Sequence, residues 1–77
     1  MKKLDALCLF NIAENIKDGI DDEKTVIKRL YTYKNIGLCN GLTGDDITRI
    51  FKSRDHFTKT EVFTLLLREL KPIRKAH

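Results

Sequence analysis

Four stretches of this 77-residue chain repeat apolar residues at spacings of three and four, and none alternates apolar with polar. Such spacing lines side chains along one face of a helix, whereas a half-buried strand needs a period of two. An all-α fold is therefore expected, and the residues between the stretches mark its boundaries.

The first helix is expected over 3–18. Leu4, Cys8, Ile12 and Ile16 form an i, i+4 stripe, and Leu7, Leu9, Phe10 and Ala13 widen the apolar surface beyond one face. Gly19 suits a left-handed stop. Asp21 or Asp22 is placed to cap a second helix over 22–34, with Val26, Ile27, Leu30 and Tyr31 inward and Lys24, Lys28 and Arg29 outward. Asn35, Gly37, Asn40, Gly41 and Gly44 then crowd together and read as a loop. Thr43 caps a short third helix over 44–53, with Asp45 and Asp46 in its first turn and Ile47, Ile50 and Phe51 on its apolar edge. The fourth helix, 58–71, has the best-marked start. Thr58-Lys59-Thr60-Glu61 fits a capping box, and Phe57 before it pairs with Val62 as a hydrophobic staple. Pro72 disfavours helical geometry at Lys71 and closes the helix. The expectation is one compact four-helix domain over 1–77 with a short basic tail.

Net charge is +4, and the excess lies in the second half. Residues 39–77 carry 8 basic and 5 acidic groups, against 7 and 6 in residues 1–38. Part of that excess is the tail Lys71, Arg74 and Lys75, too sparse to define a phosphate-binding surface alone. Residues 4–16 are interrupted by Asp5, Asn11, Glu14 and Asn15, so they make a poor signal-peptide core. No run approaches the roughly 20 apolar residues of a membrane span. Two cysteines make no disulfide framework. Cys8 reads as a small buried apolar residue. Cys39, in the Gly-rich turn, is the candidate reactive thiol, although no activating group stands beside it in sequence. A cytoplasmic protein with free thiols and no membrane partner is expected.

Motifs for chemistry are few. Cys8, Cys39, His56 and His77 are too scattered for zinc ligation. A calcium loop over 53–64 would have Asp55 and Glu61 but no central glycine. Ser53 and His56 stand three residues apart, but a triad is defined by geometry rather than by nearness in sequence. Capping accounts for the acidic clusters Asp21-Asp22-Glu23 and Asp45-Asp46. Neither a catalytic residue, a metal nor a cofactor is expected, so the chain is read as a non-enzyme. No motif identifies a family.

Two functional readings follow. In the first, the apolar residues of the first and fourth helices exceed what so small a bundle covers by itself. A chain this short buries only about 60% of the surface its unfolded form exposes. The surplus points to a small regulatory or accessory protein that binds another protein, its own copy included, of the kind carried by phages or compact bacterial genomes. Aromatic and arginine residues dominate such contacts, which makes Phe10, Tyr33, Phe63 and Arg68 the candidates. In the second, the third and fourth helices form a helix-turn-helix-like pair that binds DNA through Lys59, Thr60, Thr64, Arg68, Lys71, Arg74 and Lys75. That reading requires the basic residues to share one face. The leucine-rich fourth helix and the long connector before it weaken it.

Overall fold

The computed structural model describes residues 3–18 and 22–70. Four helices follow in order: α1 (Lys3–Lys17), α2 (Glu23–Asn35), α3 (Gly44–Lys52) and α4 (Lys59–Leu70), with a single 3₁₀ turn at Arg54–His56 between the last two. There is no strand among the described residues. The all-α, four-helix expectation holds, and the described helix ends fall within a residue or so of those read from the sequence. Gly19, Asp21 and Lys71 lie outside the described residues.

The helix starts show why the boundaries were legible. Asp22 caps α2: it has extended backbone, and its Oδ1 accepts the Thr25 N–H at 2.9 Å. Hydrogen bonds from Thr25 hold its carboxyl below the usual carboxylate range. At α4, the Thr58 N–H donates to Glu61 Oε1 (2.8 Å) and the Glu61 N–H to Thr58 Oγ1 (3.1 Å), which is the reciprocal box the sequence announced. A second box closes α3, with Asp46 in the position usually held by Glu or Gln. The Thr43 N–H donates to Asp46 Oδ2 (2.9 Å), and the Asp46 N–H to Thr43 Oγ1 (3.2 Å). Helix α2 ends in a Schellman motif. The Leu38 N–H reaches the Tyr33 carbonyl and the Gly37 N–H the Lys34 carbonyl, with Gly37 left-handed at φ +86°.

Helix α1 packs along α4 and also against α2, while α2 packs on α3. The core between them is Leu9, Ile12, Ala13 and Ile16 of α1, Val26 and Leu30 of α2, Ile47 and Ile50 of α3, and Val62 and Leu66 of α4. Two loop residues complete it: Cys39 and Leu42 are fully buried. Two helix faces differ from expectation. On α1 the buried row is 9, 12, 13 and 16, so Leu4 is exposed and Cys8 only half-buried. On α2 the inward row continues from Val26 and Leu30 to Tyr33, seven residues beyond Val26, and Tyr31 is 47% exposed. In both helices the i, i+3/4, i+7 row that meets the neighbouring helix prevails over other apolar residues nearby.

Candidate functional site

With the core closed by one face of α1, the opposite side of that helix keeps three large apolar residues among polar ones. Leu4 (58%), Leu7 (59%) and Phe10 (42%) are exposed and follow one another at three-residue steps along the helix. Adjacent helical turns bring such residues side by side. The Phe10 ring meets Phe63 of α4 edge-to-face, centroids 5.8 Å apart and planes at 74°. Edge-to-face contact is a favoured aromatic geometry and holds both rings in place. The result is an apolar ridge that starts near the beginning of α1 and runs onto α4. Beside it, Lys59 of α4 lies 3.4 Å from Asp18 and 3.9 Å from Glu14, so both signs of charge rim the ridge.

The four residues proposed for protein contact lie at three places. Phe10 and Phe63 are in contact. Tyr33 is half-buried, and its hydroxyl donates to Asn11 Oδ1 at 2.9 Å, which ties α2 to α1. Arg68 is exposed, but five positions after Phe63 it stands about 140° around α4 from that ring. Leu4 and Leu7 were not among the contact residues read from the sequence. The one available signal was that apolar residues encircle α1, and this does not say which of them remain exposed.

The residues read as candidates for DNA contact separate as well. Thr60, Thr64 and Arg68 form an exposed i, i+4, i+8 row on α4. Lys59 is nine positions before Arg68, half a turn around the helix, and its ammonium faces the acids of α1. The single basic face therefore fails for these two residues. Lys71, Arg74 and Lys75 lie outside the described residues. The connector between α3 and α4, residues 53–58, contains the 3₁₀ turn, and the Lys17 ammonium donates to its Arg54 carbonyl at 2.7 Å. Among the described residues, no three His, Cys, Asp or Glu side chains are grouped to hold a metal ion, and no helix is long and apolar enough to cross a membrane.

No family model, no curated protein and no solved structure matches the chain.

The cysteines come together in space. Cys39 adopts a left-handed conformation (φ 58°), its N–H donates to Asp5 Oδ1 at 2.8 Å, and its thiol meets that of Cys8. Burial, then the neighbouring Cys8 and Asp5, push the Cys39 thiol up to about 12. Burial and Asp5 also raise Cys8. A thiol that resists ionisation is a poor nucleophile, which corrects the view of Cys39 as the reactive cysteine. Iodoacetamide at mildly alkaline pH is expected to modify Cys8 slowly and Cys39 only in denaturant, with peptide mass spectrometry reading both sites. Rapid labelling of Cys39 in the folded chain would contradict its burial. The raised values also set a pH dependence. The unfolded chain loses these protons first, so the stabilisation is complete below the ordinary thiol value near 9 and falls as pH rises towards 12.

Proposed function

We propose that this chain is a small regulatory or accessory protein that acts by binding another protein through the Leu4–Leu7–Phe10 ridge and its continuation at Phe63. The observation that carries this reading is the exposure of three large apolar side chains in one row on a helix whose opposite face is fully committed to the core. Contiguous apolar surface of this kind on a small chain marks an interaction site, whereas scattered single residues do not. The Phe10–Phe63 pair supplies an aromatic anchor where the ridge passes onto α4, and the Lys59, Glu14 and Asp18 cluster supplies a polar rim. The cytosol is the compartment this reading implies, where both thiols stay reduced.

The test is affinity capture from the native host with wild-type chain and Leu7→Asp side by side, each with and without nuclease. An exposed substitution away from the core should change stability by no more than about 0.5 kcal/mol, so the variant remains folded. Wild type is expected to retain a nuclease-resistant species, its own copy included, that Leu7→Asp loses. Identical retention by both would sink the reading. Loss of all retained material on nuclease treatment would favour the DNA-binding alternative, carried by the Thr60, Thr64 and Arg68 row.

A further inference from the structure

We propose that the occupant of the α1 ridge is a second copy of this chain, paired antiparallel about a two-fold axis that crosses the helix between Leu7 and Phe10. This deepens the protein-binding reading and rests on it. Lys3, Leu7, Phe10 and Glu14 stand at i, i+4, i+7 and i+11 on α1, so they form one stripe along the helix. The stripe is basic at one end, apolar in the middle and acidic at the other. Lys3 is exposed, Leu7 and Phe10 are the exposed apolar pair, and Glu14 is half-buried at the rim.

A two-fold contact presents the same patch twice, so the patch must complement its own rotated image. Rotation about the stated axis places Leu7 opposite Phe10 of the second copy and Lys3 opposite Glu14 of the second copy. Each match occurs twice. Apolar groups therefore meet apolar groups, and both ends carry opposite charges. A parallel in-register pair would set Lys3 against Lys3 and Glu14 against Glu14, and like charges in register oppose association. The charge order along the stripe thus selects the antiparallel arrangement. Lys59 does not cancel it: that ammonium lies closer to Asp18 (3.4 Å) than to Glu14 (3.9 Å), and the three groups together carry one net negative charge. Leu4 widens the apolar strip on one side.

Sedimentation equilibrium at low salt on four chains tests this: wild type, Lys3→Glu, Glu14→Lys and the double exchange Lys3→Glu/Glu14→Lys. Far-UV circular dichroism confirms that each is folded. Wild type should dimerise. Each single reversal replaces two attractions with two repulsions and is expected to weaken the dimer about tenfold, while the double exchange restores it to within about threefold. Restoration is the informative result, because damage to the fold or to the Glu14–Lys59 pair would not be repaired by changing Lys3. A wild type that remains monomeric at about 100 µM overturns the proposal, since a dimer with a Kd of about 100 µM would have half its chains paired there. A dimer indifferent to the reversals, or one the double exchange fails to restore, also overturns it. If the chain is monomeric yet Leu7→Asp still loses a captured species, a different protein occupies the ridge: the second copy is excluded while the protein-binding reading stands.

Discussion

Leu66→Ala is expected to lower the unfolding free energy by about 2–5 kcal/mol, as large-to-small changes at fully buried sites do. Leu66 has no exposed surface and lies on α4, which shares the most extensive helix pairing in the fold with α1. It belongs to the buried cluster that also holds Leu9, Ile12, Ile16 and Val62. Removing it forfeits transfer energy and leaves a cavity that helices fixed by caps and connectors close only in part. A domain of this length has roughly 4–12 kcal/mol to lose, at about 0.05–0.15 kcal/mol per residue. The variant would therefore be marginal, with its melting temperature lowered by about 4–8 °C for each kcal/mol. Urea denaturation should show an earlier midpoint with an unchanged slope. A loss under about 1 kcal/mol would mean that α4 does not present Leu66 to the core.

The two leucines Leu66 and Leu7 mark the limit of what the sequence discloses. Helix boundaries are local. Asp22, Thr43 and Thr58 each satisfy orphan N–H groups with their own side chains, so their positions could be read directly. Facing is not local. Helix α1 is apolar nearly all round, and periodicity alone does not select its inner row. The choice of 9, 12, 13 and 16 belongs to α4 and α2, which pack there. That choice left Leu4, Leu7 and Phe10 outside and created the candidate surface. Tyr31 and Tyr33 show the same dependence on a neighbour: Asn11 of α1 gives the Tyr33 hydroxyl its partner, and no pattern within α2 announces it. The loop after α2 was legible as a loop but not as part of the core. Its glycines signalled turns, whereas the burial of Cys39 and Leu42 depends on three left-handed residues, Gly37, Cys39 and Gly41, folding the segment back on the bundle. One of the three is a cysteine, for which sequence statistics favour no such conformation.

That strained cysteine makes Asp5→Ala the second substitution of large effect. A non-glycine residue at φ 58° costs of order 1–3 kcal/mol and persists only where its surroundings hold it there. Two contacts do so: Asp5 Oδ1 accepts the Cys39 N–H at 2.8 Å, and the Lys34 ammonium donates to the Leu42 carbonyl three residues on. Alanine at position 5 leaves that N–H without its charged acceptor, a loss of about 1.5–3 kcal/mol for a hydrogen bond to an ionised group. Asp5 also stands in the first turn of α1, where a carboxylate favours the helix dipole by about 0.3–1 kcal/mol at an exposed site. Asp5→Asn keeps an acceptor oxygen but not the charge, so it should fall between wild type and alanine. The thiols supply an independent readout. Asp5 is one of the groups that raise both Cys8 and Cys39, so its removal lowers the barrier to ionisation while loosening the loop that buries Cys39. Thiol-reagent kinetics on folded Asp5→Ala should show faster reaction at Cys8 and the first measurable reaction at Cys39, alongside an earlier urea midpoint. A merely destabilised helix would move the midpoint and leave Cys39 protected below the unfolding transition. Native-like protection of Cys39 in the alanine variant would show that Asp5 is not what holds the loop onto α1.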